Sequence, residues 1–397
     1  MIRSLYTGEA GIKTHQTRMD VIGNNVANVN TTGFKSGRGT FDDILSQTLK
    51  GATASNGTLG STNPTQIGLG VKLSAVDMMF RNGSIQSTGK NTDLALSGDG
   101  LFALKDATRT YYTRNGDFGF DEAGNYVQNG TGLFVQGWMA TNGVVTPGGA
   151  TTNINVQMGK VMPAKVTTEE YYHANLDAST PIGKTVDVSM NEYGADGTLV
   201  SRPMHFTKTA NNSWTVTSDP SVSSGSWTIN FDEHGKFAGG SGLISYTDGK
   251  GAQGVTVHMG DLTQYDSATT LYTDSNGYAE GKLTSVNVSQ SGIITGNYDN
   301  GQHMVEAEVA VARFSNPQGL TRKGRSLFTV SSNSGTPTYG AAKEQNSTIT
   351  PAALEMSNVD IANEFSDMIV TQRGFQSNSK VITTSDENLE TAINLKR

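Results

Sequence analysis

The sequence predicts a mainly β protein with α-helical termini: two β domains, one inserted in the other, plus a terminal helical coiled-coil domain. Both ends carry an apolar stripe at heptad spacing. The interior is cut into short apolar runs by Asn-Gly, Ala-Gly and similar turn dipeptides. The order of parts, helix, arm, β, second β, β, arm, helix, is nearly a palindrome and pairs the two termini.

The first element is a helix from about Ser4 to Val26. Alternating steps of three and four from Ile2 give Ile2, Leu5, Glu9, Ile12, Gln16, Met19, Gly23 and Val26. Gly8, Gly11 and Gly23 each cost a helix about 1 kcal/mol relative to Ala, so the element is expected to be marginal alone and to form against a partner. The Asn-rich run after it, with Gly33 as a left-handed stop, ends the helix. The segment from Lys50 to Gly70 is Gly, Ser, Thr and Asn with few apolar anchors and reads as linker or extended arm.

From Val71 to Trp138 short apolar stretches such as DLALSGDGLFAL alternate with turns, the pattern of a compact β domain. A Gly/Thr/Pro-bearing boundary follows, and a second β region runs from Asn153 to Lys282. Its near-repeat SWTV (Ser213 to Val216) and SWTI (Ser226 to Ile229) puts Trp214, Val216, Trp227 and Ile229 on an inner face. Beyond Ser285, VEAEVAVARF alternates Val305, Ala307, Val309 and Val311 with Glu306 and Glu308, so one face is expected to be core and the other solvent. A polar stretch then leads to the last helix, with Pro351 at a position where a first turn tolerates proline.

The last helix carries the second seam: Ile361, Phe365, Met368, Gln372, Phe375, Ser379, Ile382, Asp386, Leu389 and Ile393. A narrow apolar stripe needs another helix to cover it. Two readings meet this need, packing on the chain's own core or assembly with other helices. The polar interruptions Glu9, Gln16, Gln372, Ser379 and Asp386 weaken a buried seam and specify register, which suits assembly better. The expected organisation is therefore a helical domain from 1–27 and 358–397, arms at 28–70 and 331–357, an inner β domain from 71–145 and 285–330, and an inserted outer β domain at 146–284.

Composition narrows the function classes. The chain has 397 residues, 35% apolar, with 47 glycines that restore an ordinary soluble total and belong to turns. Its net charge of −7 argues against nucleic acid and against an anionic membrane surface. There is no cysteine, which removes disulfides, thiolate metal sites and Cys nucleophiles together. No apolar run approaches the roughly 20 residues of a membrane span. The opening MIRSLYTGEAGIKTHQ lacks an apolar h-region and a small-residue cleavage site, so no cleaved secretory signal is expected.

Chemistry is expected to be absent. The histidines His15, His173, His205, His234, His258 and His303 show no metal-ligand spacing. Asp121 to Asn125 lacks the alternating carboxylates of a calcium loop, and Gly98 to Gly100 lacks the Lys and helix of a phosphate loop. No Gly-x-Ser-x-Gly elbow occurs. The chain is thus expected to be no enzyme, with no cofactor and no metal.

Several stretches carry more than composition. ANVNTTGFKS (Ala27 to Ser36), with Asn28, Asn30, Thr31, Thr32, Gly33, Phe34 and Lys35, resembles the N-terminal signature of the rod and hook axial proteins of the bacterial flagellum. SNVDIANEFSDMIVTQRGFQSNSKVITTSDENLETAINL (Ser357 to Leu395) is similar to their C-terminal region. NGSIQSTGKNTDLALSGDGLFAL, YTRNGDFGFDEAGNYVQNGTGLFVQGW, GIITGNYDNGQ and FSNPQGL resemble the family's inner β domain. The length and the inserted region suit the hook branch better than the shorter rod proteins. The resemblance implies a subunit of a flexible curved tube that transmits torque, with paired terminal helices lining its core. Ile2, Leu5, Ile12, Met19, Val26, Ile361, Phe365, Met368, Phe375, Ile382, Leu389 and Ile393 would be its assembly seam. It further implies extracellular placement in the hook and basal body after export through the flagellar type III apparatus. The implied partners are copies of the chain, a hook cap protein, the distal rod protein and the hook-filament junction protein, with no nucleic acid and no membrane insertion. A distal-rod-type protein, straight and stiff, stays open as an alternative. So does a secreted β-rich enzyme or carbohydrate-binding protein with incidental helical ends.

Overall fold

A computed structural model describes residues 2–52, 54, 60–218, 226–240, 243–247 and 254–395. The chain separates into two compact units. The first takes residues 1–157, 286–295 and 304–397, and the second takes 158–285 and 296–303.

The first unit opens with helix α1 (Ile2–Ala27) and closes with helix α2 (Ile361–Asn394). α2 begins at Asp360, whose Oδ1 accepts from the amides of Ala362 (2.9 Å) and Asn363 (3.3 Å). That carboxylate satisfies orphan amides at the positive end of the helix. Pro351 is not near this start. It ends the strand Ser347–Pro351, which pairs with Leu94–Gly98.

Between the helices lies an antiparallel sheet in the order His303–Val309, Phe134–Met139, Leu101–Lys105, Thr110–Thr113, Leu327–Thr329 and Thr321–Gly324. The turn dipeptides sit between its strands as their chemistry requires. Asp121, for instance, closes the turn before Tyr126–Gln128 by accepting from the Asn125 amide at 2.7 Å. Met78, Leu101, Ala103, Tyr112, Ala312, Phe314, Leu320 and Phe328 form one apolar cluster. The alternation expected at 305–311 is not one-sided, because Glu306 and Glu308 are buried along with Ala307 and Val309. Burial and the nearby Glu344 raise the Glu308 pKa.

Two stretches expected as arms are paired strands. Gly37–Asp43 pairs with Val71–Met78, and this ribbon lies along α1, with Phe41 edge-on to His15 and beneath Arg18. In 331–357, Ser347–Pro351 and Ala353–Glu355 pair with Leu94–Gly98 and Ile85–Ser87. Their polar sequence hid this because the pairing is carried by backbone bonds, with only Ile349, Ala353 and a few polar side chains buried.

Among the described residues of the second unit, two sheets build its core. One is a five-stranded meander, Thr185–Tyr193, Leu199–Ala210, Ser213–Ser218, Ser226–Phe231 and Phe237–Gly240. The other orders Leu243–Thr247, Gly254–Thr263, Glu169–Asn175 and Tyr272–Ser275, with its two central strands parallel. Trp214, Val216, Ile229 and Phe231 of the meander meet Tyr172, Val257 and Met259 of the second sheet in a single core, with Trp227 packed at its margin. Both tryptophans of the near-repeat are thus inward. The Trp214 indole donates to Gln264 Oε1 at 3.2 Å, the partner a buried indole needs.

Candidate assembly interface

The two terminal helices pack antiparallel along a seam of small and polar residues. Ser4 shares a hydrogen bond with Ser385 (3.1 Å), Arg18 pairs with Asp367 (3.2 Å), and Asn25 donates to Glu364 (2.9 Å). Glu364, drawn into this contact, has its pKa raised chiefly by burial. Between these contacts the backbones approach closely. A Cβ placed on Gly8 would lie 2.9 Å from Ile382, one on Gly11 would lie 2.7 Å from the Asn378 side chain, and one on Gly374 would lie 2.5 Å from the His15 ring.

This face is rotated by one residue from part of the sequence-derived seam. Leu5, Ile12, Met19 and Val26 on α1 and Met368, Phe375, Ile382 and Leu389 on α2 are half-buried. Alternating with them on the packed face are Ser4, Gly8, Gly11 and Asn25, and Glu364, Thr371, Asn378 and Ser385. The interleaved positions Glu9, Gln16, Gly23, Gln372 and Asp386 are exposed, as are Ile361, Phe365 and Ile393. Ile2 lies in α1, but its side chain falls outside the described residues. Helices settle where small side chains let them touch, whereas a sequence reading weighs apolar character first. An apolar flank on α2 is therefore uncovered, with Phe365 49%, Ile369 59% and Val370 60% exposed.

At the base of the pair the signature residues turn inward. Asn28 caps the end of α1, donating to the Asn24 carbonyl (2.8 Å) and accepting from Thr31 (3.1 Å). The Thr32 carbonyl accepts from Ser326 (3.0 Å), and Asn30 is exposed. Gly33 has φ of +65°, and a Cβ there would meet the Asn115 amide at 2.4 Å, so both conformation and space demand glycine. Phe34 is buried beneath the Arg322 guanidinium at 4.8 Å.

Lys35 is fully buried and reaches Glu355 Oε1 at 2.7 Å and the Arg81 carbonyl at 2.8 Å. Glu355 also accepts from the Gly83 amide (2.8 Å) and from buried Arg114 (3.3 Å). Arg114 in turn donates to the carbonyls of Leu96 (2.9 Å) and Gly98. Two cations thus share one carboxylate out of reach of solvent, and burial pushes the Lys35 pKa down to about 8 against the raising pull of Glu355. Arg114 lay within a stretch that carried the resemblance but was not singled out, and Glu355 lay outside any, since partners separated by hundreds of residues leave no local pattern of their pairing.

Among the described residues no group of three or more His, Asp or Glu side chains is placed to hold a metal, and no helix is long and apolar enough to cross a membrane.

Three family descriptions match the chain: "Flagella basal body rod protein" over residues 5–35, "Flagellar hook protein FlgE/F/G D1 domain" over 95–163, and "Flagellar basal body rod FlgEFG protein C-terminal" over 350–395. The flagellar hook protein FlgE of Treponema pallidum is 34% identical over 463 residues and covers 100% of both chains. That of Escherichia coli is 33% identical over 414 residues, covering 98% of each.

The chain belongs to the flagellar hook and basal-body rod protein family.

The family's rod side is also represented: the basal-body rod protein FlgG of Bacillus subtilis is 32% identical over 399 residues and covers 100% of both chains. Length therefore does not separate hook from rod here. The crystal structure of Helicobacter pylori flagellar hook protein FlgE2 shares the fold, with a TM-score of 0.51 at 12% identity, covering 68% of this chain and all of that one. Each of the three family segments supplies one member of the buried cluster, Lys35, Arg114 and Glu355. The cluster ties the bases of both helices to the β unit.

Proposed function

We propose that this chain is the structural, non-catalytic subunit of a bacterial flagellar hook, a helical homopolymer forming a flexible, curved, hollow tube that passes torque from rod to filament. The observation that carries this reading is end-to-end similarity to hook proteins, joined to a terminal helix pair with an uncovered apolar flank. Phe365, Ile369 and Val370 form that flank, Ile361, Val381 and Ile393 are also exposed along α2, and Leu49 and Ile67 are exposed on the ribbon Ser46–Lys50 with Thr65–Gly68. Burying side chains of this kind is worth about 1.5–3 kcal/mol each, ample to drive association. Contacts between non-equivalent faces that do not close generate a helical filament. The seam residues Ile2, Leu5, Ile12, Met19, Val26, Met368, Phe375, Ile382 and Leu389 would shape the pair, with the uncovered flank meeting neighbouring copies. A hook cap protein, the distal rod protein, the hook-filament junction protein and the type III export apparatus would be further partners, and the working location would be the extracellular hook. Marginal, glycine-bearing helices suit export in an unfolded state and folding on a neighbour.

Electron microscopy of the purified full chain, concentrated until it polymerises, tests the reading. Curved hollow tubes are expected. The rod relative favours a second reading, a distal-rod-type subunit, and straight stiff tubes would select it.

A further inference from the structure

The hairpin of Thr321–Gly324 and Leu327–Thr329 gathers Arg322 and Lys323 on its first strand and Arg325 in its turn, in a chain whose acids outnumber its bases by 36 to 29. It walls a cleft of about 300 Å³ whose other side is Asn24, Asn28 and Thr31 at the end of α1. Arg322 is held over Phe34 and donates to the Lys35 carbonyl, while Arg325 donates to the Gly130 carbonyl at 3.2 Å. Their anchors are neutral. Among the described residues neither guanidinium has a carboxylate within ion-pair distance.

The far end of the helix pair carries the complement. Asp386, Glu387 and Glu390 are exposed on α2, and among the described residues none has a basic side chain within ion-pair distance. Ile393, just beyond them, is also exposed. Glu364 meets Asn25, on the last turns of α1 that line the cleft. A rise of about 1.5 Å per residue puts Glu387 roughly 35 Å along α2 from Glu364. One chain therefore cannot join its own acids to its own cleft.

We propose that the cleft receives the acidic end of α2 from a second copy of this chain, displaced by roughly 35 Å along the helix axis, with Arg322 and Arg325 pairing Asp386, Glu387 and Glu390. The inference rests on the polymer reading and adds an axial register to it. The apolar flank drives association, and the charge match selects which step along the axis is allowed. A second copy fits better than a polyanion, because the cleft is also lined by the C-terminal turns of α1, where the helix dipole is negative and opposes dense negative charge. It also supplies an exposed apolar residue, Ile393, that needs cover.

The test is the critical concentration for polymerisation of the full chain in low salt, for wild type, Arg325→Glu, Glu387→Lys with Glu390→Lys, and the combination. Each one-sided reversal is expected to raise it about tenfold, and the combination to bring it back to within about threefold of wild type. The α2 substitutions lie on an exposed face, so their effect does not depend on how Arg325→Glu folds. If wild type polymerises and the reversals polymerise at the same concentration, the pairing is wrong and the polymer reading stands. Loss on both sides without rescue also contradicts direct pairing. Inorganic phosphate binding to wild type but not to Arg325→Glu, with polymerisation untouched, would assign the cleft to a free anion. A wild-type chain that never polymerises overturns the polymer reading itself.

Discussion

Lys35, Arg114 and Glu355 show how little of a buried polar centre is visible locally. Lys35 stood out only as part of a resemblance, and its charge balance depends on Arg114 and Glu355, which nothing in the sequence joins to it. The balance is uneven, with two cations on one carboxylate, so the two sides should respond differently to substitution. Glu355→Gln leaves both cations buried without compensation and should cost about 3–5 kcal/mol, whereas Lys35→Met leaves an Arg-Glu pair and should cost only about 1 kcal/mol for the lost hydrogen bonds. Urea denaturation of both variants measures this. The pH dependence has a definite sign. The Lys35 value of about 8 in the folded chain lies below the ordinary 10.5, so the unfolded chain holds more protons between these values. Wild type should therefore gain stability relative to Lys35→Met as pH rises from about 8 to 10.5. Glu170 in the second unit behaves oppositely. It is buried, both its oxygens lack partners among the described residues, and burial, then Glu192 and Asp274, push it up to about 8 from 4.5. The folded state binds more protons in that interval, so stability from this group is full below about 4.5 and is lost as pH rises through 8. Glu170→Gln should remove that slope, read by Trp214 fluorescence during denaturation.

The three glycines of α1 illustrate what an element's sequence conceals. By propensity they are equal costs, but the structure gives them different surroundings. Gly23 has no atom within 4 Å of an added Cβ, while Gly8 and Gly11 face α2 at 2.9 and 2.7 Å. Gly23→Ala should stabilise by about 0.5–1 kcal/mol. Gly8→Ala and Gly11→Ala should lose that gain to overpacking of about 1–3 kcal/mol and push the helices apart. Thermal melts followed at 222 nm distinguish the two outcomes. The first helix was legible to within a few residues and the second by its seam, because a sustained seam is a strong signal, but Pro351 was misplaced in the second helix's first turn when it ends a strand well before Ile361. The contact face was not, because smallness rather than apolar character fixed it. The paired strands within 28–70 and 331–357 escaped for a related reason: backbone bonding to distant partners needs no apolar alternation.

At the scale of the whole chain, the β-with-helical-ends class followed from seams and turn chemistry, and the family from its three signature regions. The order of strands within each unit did not, because register among many short hairpins depends on long-range pairing. The second unit's meander carries strands such as Thr185–Tyr193, whose alternate positions, Thr185, Asp187, Ser189 and Asn191 among them, are polar and exposed. Surfaces of that kind would make wet contacts able to slide as a tube bends. Removing residues 158–285 should therefore alter the curvature of the tubes, and tubes of unchanged curvature would exclude that role. The most direct measurement is a helical reconstruction of the assembled full chain by electron microscopy. The expected result is a hollow tube whose lumen is lined by α1 and α2, with Phe365, Ile369 and Val370 buried against neighbouring copies. A tube held together by β units alone, with these three side chains still facing solvent, would contradict assembly through the terminal helices.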